Sequence, residues 1–293
     1  MIPGIAVFGA GGQVGSALAR RARERRIKLT LFTRADADIT DYGAVVAALR
    51  DSSTGIAINA AAYTAVDKAE SEPERALAIN RDGAANLAQA CATQGVQLIH
   101  ISTDYVFDGT KPAPYVEDDP IAPLGAYGHS KAEGEAAVIG VAPDCIVLRT
   151  AWVYGLEGGN FVKTMLRLAA ERDIVRVVED QKGSPTFADD LADAILSLVT
   201  AQKRAASSIY HLAGNGVATW HEVAQEIFAE TARRGLPTPR LEAITTVEYP
   251  TPAKRPANSV LDCSLIRRDF NIALPDWRSG LRRMLAAHLE TAR

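Results

Sequence analysis

Ile5-Ala-Val-Phe-Gly9-Ala-Gly-Gly12-Gln-Val-Gly15 decides how the rest of the chain is read. An apolar run leads into glycines 9, 12 and 15, spaced G-x-x-G-x-x-G, and a helical pattern follows over Gln13–Arg26. Strand, glycine turn and helix in that order are the setting a dinucleotide fingerprint requires. Glycine lets the backbone turn tightly and approach a pyrophosphate, and the helix N-terminus supplies N–H donors and positive potential. The alternative is a glycine-rich turn that binds nothing. The flanking strand and helix favour the fingerprint.

The pattern repeats downstream. Lys28–Thr33, Gly55–Asn59, Val96–Ser102 and Cys145–Thr150 read as strands. Tyr42–Arg50, Pro73–Gln94 and Tyr127–Ile139 read as helices, with Pro73 suited to a first turn. Repeated βα units predict a parallel sheet covered on both faces, a doubly wound Rossmann-type α/β fold. Beyond Thr150 the pattern loosens. Asn160–Arg172, Ala188–Ala201, Trp220–Arg234 and Trp277–Glu290 read as helices, Ile209–Leu212 as a late strand, and Tyr249–Pro256 is too proline-rich for either. We therefore expect a dinucleotide domain over 1–165, joined again by 188–212. A smaller α/β substrate lobe would comprise 166–187 and 213–293.

Composition narrows the function classes. The 293 residues are 47% hydrophobic and 23% charged, an ordinary globular balance. No apolar run approaches the length of a membrane span. The N-terminus enters a strand with no basic region before it, which argues against a signal peptide. A net charge of −3 gives no reason to expect nucleic acid. The arginines of 20–26 suit the C-terminal end of an amphipathic helix. Cys91, Cys145 and Cys263 are scattered, and the five histidines show no ligand spacing, so neither a disulfide framework nor a metal site is expected. A reducing cytoplasm fits that cysteine usage.

Three further segments carry chemistry. The second strand ends Phe32-Thr33-Arg34, with no acid before Asp36. Arg34 there suits the extra phosphate of NADPH better than the free ribose of NADH, although NADH remains possible. Asp38-Ile39 follows, in a loop placed for the adenine, and Asp38 or Thr40 is also a candidate helix cap. Asn59-Ala-Ala-Ala62 has small side chains, which suit either a dinucleotide lying along the chain or close packing. Ser102-Thr103-Asp104 closes the fourth strand, where a hydroxyl can bind a substrate carbonyl or its own backbone. Tyr127-Gly-His-Ser-Lys131 places a phenol and an ammonium on one helical face. The lysine is expected to lower the tyrosine pKa and so fit it for proton transfer to a carbonyl oxygen as hydride arrives.

Taken together, these stretches resemble the dTDP-4-dehydrorhamnose reductase family of extended short-chain dehydrogenases/reductases. The likeness runs through Gly12–Gly15, Asn59–Glu70, Ser102–Gly109, Tyr127–Lys131, Arg149–Gly155, Asn160–Leu166, Asp180–Thr186, Tyr249–Pro256 and Leu274–Trp277. It implies reduction of the C4 keto group of a dTDP-sugar by NADPH, with Tyr127 as general acid. Lys131 would bind the nicotinamide ribose and tune the tyrosine, and Thr103 would orient the carbonyl. Gly9, Gly12, Gln13, Val14, Gly15, Arg34, Asp38, Ile39, Ala61, Ala62 and Thr64 are then expected at the cofactor. Val66, Asp104, Tyr105 and Trp152 are expected at the sugar, and Lys163, Lys254 and Arg255 are candidates for the diphosphate. The resemblance leaves monomer and homodimer open. Some members carry a glutamate two residues after the third glycine that joins a metal-bridged dimer; Ala17 stands there in this chain, which puts such a dimer in doubt. Two rivals are a related nucleotide-sugar reductase or epimerase and a non-catalytic NADP-binding regulatory subunit. The intact Thr103, Tyr127 and Lys131 speak against the second.

Overall fold

The structure is a computed structural model that describes residues 4–201, 205 and 208–291. The first half comprises β1 (Gly4–Phe8), α1 (Gln13–Glu24), β2 (Leu29–Phe32), α2 (Tyr42–Asp51) and β3 (Thr54–Asn59). It continues with α3 (Val66–Ala69), α4 (Pro73–Leu77), α5 (Ala84–Gln94), β4 (Gln97–Thr103), α6 (Ala126–Val141) and β5 (Ile146–Thr150). The second half has β6 (Val153–Tyr154), α7 (Phe161–Glu171), β7 (Ile174–Val178), β8 (Lys182–Gly183), β9 (Thr186–Phe187) and α8 (Ala188–Thr200). It closes with β10 (Ile209–His211), β11 (Ala218–Thr219), α9 (Trp220–Ala232), β12 (Arg240–Ile244), α10 (Ser264–Phe270) and α11 (Trp277–Thr291).

Six parallel strands form the main sheet in the order β10-β5-β4-β3-β1-β2. Strand alternation explains why both faces are apolar. Ile5 and Val7 point into a core with Leu18 of α1 and Leu191 and Ile195 of α8. Ala6 and Phe8 point the other way, into a core with Val45, Leu87 and Val138 of α2, α5 and α6. The doubly wound α/β expectation is met. The order in which strands are added reverses at β1, with β2 on one side and β3 on the other, and ligands of open sheets bind in the crevice at such a switch point.

The helix expected over Pro73–Gln94 is interrupted. Ala78–Gly83 forms a π-helical turn between α4 and α5. The wider turn carries Asn80 into a buried set of bonds: its side chain accepts from Tyr63 N at 2.8 Å and donates to Tyr63 O and Ser130 Oγ. Such turns recur at functional sites.

The smaller lobe gathers Val162, Met165, Val175, Val177, Val223, Ile227, Leu281 and Met284 around Trp277. It contains the parallel pair β7–β12 and the antiparallel pair β8–β11. The proline-rich segment after Tyr249 is neither helix nor strand. It reaches back to the first half, where Arg255 Nη2 lies 2.8 Å from Asp67 Oδ2. Among the described residues no helix is long and apolar enough to cross a membrane.

Candidate active site

The glycine turn is shaped by contact. Gly9 has φ +83°, and a Cβ there would lie 2.4 Å from Ala61 N. A Cβ on Gly15 would lie 2.3 Å from Gly9 O, so the first turn of α1 can press onto the loop only without one. Gly12 precedes α1 and offers no side chain to cap it. The first-turn N–H groups therefore stay free to meet a phosphate. Gly9, Gly12, Arg34, Asp38, Ile39, Ala61 and Ala62 line one cleft of about 490 Å³. Its small, backbone-rich floor fits an adenine dinucleotide. Gln13 lies farther along and accepts from Asn160 Nδ2 at 3.1 Å. Val14 packs into the core beneath, and Thr64 is exposed at the edge.

Arg34 is exposed at the mouth of this cleft, with Nε 2.9 Å from Asp38 Oδ2. Asp38 also accepts from the backbone and hydroxyl of Thr40. Those bonds and Arg34 outweigh its slight burial and hold its carboxyl below the usual range. Asp36 is turned inward on Thr33, accepting from its N–H at 2.8 Å and its hydroxyl at 2.6 Å.

The carboxyl end of β4 and the start of α6 make the second part of the crevice. Thr103 Oγ1 donates to Asp104 Oδ1 at 3.0 Å and accepts from Tyr105 N. The Tyr105 and Tyr127 rings meet edge to face, centroids 5.6 Å apart. Burial pushes the Tyr127 phenol up to about 12; a hydrogen bond with Thr103 opposes the rise and the Asp104 charge adds to it. This departs from the expected lowering by Lys131. The Lys131 ammonium is instead turned to the Ile101 carbonyl at 2.6 Å and lies 3.5 Å from His100 Nε2. Burial lowers Lys131 to about 8, with the Glu135 charge opposing. Asp104 is also buried, which raises its carboxyl to about 6 against hydrogen bonds from Ser259 and Thr103.

One turn beyond Lys131 lies a group that the sequence reading missed. Glu135 takes Arg149 Nε at 3.0 Å and Nη2 at 2.8 Å, and accepts from the Ser102 hydroxyl. Both charged side chains are 3% exposed. Ser102 pairs with Arg149, and Thr103 with Thr150, in the β4–β5 register. The fork thus fixes α6 against both strands. Removing either partner would strand a buried charge. The i, i+4, i+8 spacing of Tyr127, Lys131 and Glu135 was the available signal.

The lobe closes the far side. Trp152 leaves β5 two residues after Thr150 and packs against both Val106–Phe107 and the lobe core. Val66 opens α3 beside Asp67, the partner of Arg255. Arg255 shares a cavity of about 280 Å³ with Arg176, Gln181, Trp220 and Tyr249. Lys163 does not reach that cavity: its ammonium donates to the carbonyls of Leu156 and Gly158. Lys254 is exposed. Arg176 was missed because β7 was missed. Ala17 is fully buried under α8. Asp189 is held by Arg20 and Asp190 by Arg283. Among the described residues no cluster of three or more His, Cys, Asp or Glu side chains is arranged to hold a metal ion.

A doubly wound sheet, a glycine cleft at its switch point and a Thr-Tyr-Lys set beside it define a nucleotide-dependent oxidoreductase of the short-chain dehydrogenase/reductase type. A family model described as "RmlD substrate binding domain" matches residues 4–290. The chain is 46% identical over 292 residues to the dTDP-4-dehydrorhamnose reductase of Sinorhizobium fredii (strain NBRC 101917 / NGR234), covering 97% of each chain. It is 42% identical to that of Escherichia coli (strain K12), covering 96% of each. A crystal structure of dTDP-4-dehydrorhamnose reductase from Bacillus anthracis str. Ames in complex with NADP superposes with a TM-score of 0.91 at 35% identity, over 98% of this chain and 100% of that one. This chain belongs to the dTDP-4-dehydrorhamnose reductase family of NAD(P)-dependent oxidoreductases.

Proposed function

We propose that the crevice binds NADPH and dTDP-4-dehydro-L-rhamnose together and delivers the proton to the C4 oxygen from Tyr127. The chain reduces dTDP-4-dehydrorhamnose to dTDP-rhamnose, in keeping with a family match along almost its whole length. The observation that carries the site reading is the meeting of Thr103 and Tyr127 at the carboxyl end of β4, beside the glycine cleft. When bound, the reduced nicotinamide supplies hydride to the carbonyl carbon. Tyr127 donates its phenolic proton to the oxygen. A phenol pushed up to about 12 is fully protonated at neutral pH, which is the form a reduction consumes. Thr103 holds the carbonyl oxygen next to that proton and stabilises the alkoxide as it forms. Lys131 would hold the nicotinamide ribose on this reading, its ammonium turning from the Ile101 carbonyl to the ribose hydroxyls.

Residues 1–165 with 188–212 would hold the dinucleotide, and 166–187 with 213–293 the sugar nucleotide. Arg34 favours NADPH over NADH in this reading. Arg255, joined by Arg176, is placed for the diphosphate, and Lys163 is better explained as a loop clamp. The reading extends to a cytoplasmic enzyme, monomeric or homodimeric.

Tyr127→Phe tests the acid. The ring stays, the proton goes, and kcat should fall at least about 10²-fold. Affinity for NADPH, measured by fluorescence titration, should be retained. Near-normal turnover would remove Tyr127 from the role.

A further inference from the structure

Trp152 has a backbone conformation that a bulky residue rarely adopts, φ +46°. Such outliers persist only where their surroundings hold them. Two neighbours do so here. The Trp220 indole stacks on Trp152 with centroids 3.6 Å apart and planes 3° from parallel. Gly183 lies against the same ring, where a Cβ would sit 2.2 Å from Cε2. The β8–β11 ladder sets this arrangement. Ala218 pairs with Gly183 and Thr219 with Lys182, so the ladder ties the residue before α9 to the strand that carries the glycine. Thr219 then caps α9 in a capping box with Glu222, which fixes the residue that follows it. Phe161, the first residue of α7, backs Trp220 at 4.6 Å.

We propose that Trp220 and Gly183 are positioning residues that lock the Trp152 indole as a rigid wall of the sugar subsite. The inference rests on the reading of Trp152 as a sugar neighbour. Neither residue need touch the substrate. Trp220 supplies a flat backing, and Gly183 leaves room for the edge of the indole that a Cβ would fill. The wall is therefore formed before the sugar arrives, and binding costs less ordering of side chains. A bulkier residue at 183 would displace the ring toward the crevice or out of it. The glycine of Asp180-Gln-Lys-Gly-Ser-Pro-Thr186 thereby acquires a physical reason.

Steady-state kinetics of four variants test this: Trp152→Ala, Trp220→Ala, Trp220→Phe and Gly183→Ala. NADPH affinity is measured alongside as a control for folding. Trp152→Ala should raise KM for dTDP-4-dehydrorhamnose. Trp220→Ala should raise it about five- to tenfold, the scale of a lost aromatic pair, with kcat changed less than about twofold and NADPH affinity unchanged. Gly183→Ala should do the same. Trp220→Phe, which keeps a flat ring, should stay within about twofold of wild type. Wild-type KM in Trp220→Ala beside an impaired Trp152→Ala would overturn the inference and leave Trp152 at the sugar. Wild-type KM in Trp152→Ala would overturn both. Equal weakening of NADPH and sugar in Trp220→Ala would overturn it in favour of a purely structural stack.

Discussion

Residues at the crevice show how burial and charge compete. The Tyr127-x-x-x-Lys131 spacing was legible in the sequence, but its electrostatics were not. Spacing places two side chains on one helical face without saying how much water reaches them. In the fold, burial raises the Tyr127 phenol, and Lys131 answers to the Ile101 carbonyl and to Glu135 instead. The pairing of Glu135 with Arg149 was hidden for a related reason. The spacing put Glu135 on the face of Tyr127 and Lys131, but only the fold of β5 beside β4 under α6 brings Arg149 to it. Arg34 is the clearest test at this scale. It is exposed and held by one carboxylate, so it can turn to a 2′-phosphate without breaking a core contact. Arg34→Ala should weaken NADPH much more than NADH. A charge-assisted bond is worth about 1.5–3 kcal/mol, which predicts a change in preference of about tenfold or more. Titration of both cofactors against both proteins reads it, and an unchanged ratio would return Arg34 to the solvated loop.

Whole elements followed their patterns where periodicity was long. The strands of the main sheet and the helices covering it begin and end close to their expected limits. The failures are short or local. β7 and β12 were missed because Ile174–Val178 and Arg240–Ile244 are five residues each with charged side chains among the apolar ones. Each needs the other for a partner. α10, with seven residues, is too short to show a period. The π-helical turn leaves no mark on hydropathy at all. Its packing yields a prediction for α6. A Cβ at Gly134 would lie 2.1 Å from Asn80 O, which is backbone and cannot swing away. Gly134→Ala should therefore cost about 1–3 kcal/mol, the scale of overpacking. Gly140 lies on the same helix with nothing within 4 Å of its Cβ position. Gly140→Ala should stabilise by up to about 1 kcal/mol through helix propensity. Urea unfolding of both variants checks the pair. Equal effects would mean that the α6 contact with the π turn is not tight.

At the scale of the molecule, the two halves are tied by Arg255 to Asp67 and by Trp152, which packs into cores on both sides. On the proposed reading the first half supplies Thr103, Tyr127 and Lys131 and the lobe would hold the sugar nucleotide, so neither half would be a complete site. The same scale governs assembly. Ala17 is buried beneath α8, and the nearby Asp189 and Asp190 already have guanidinium partners in Arg20 and Arg283. A hard divalent cation needs several oxygen ligands, and here it would have to displace those arginines. EDTA should change neither the activity nor the native mass by light scattering. A dimer that dissociates on chelation and reforms with magnesium would show that other carboxylates replace the one missing at Ala17. The central claim is that the seam reduces a dTDP-linked ketosugar with net consumption of NADPH. The most direct measurement is NADPH oxidation with enzymatically prepared dTDP-4-dehydro-L-rhamnose, followed by identification of the sugar product. The account predicts one NADPH oxidised for each dTDP-L-rhamnose formed. Conversion of the sugar with no net NADPH loss, or no conversion at all by the intact protein, would contradict it.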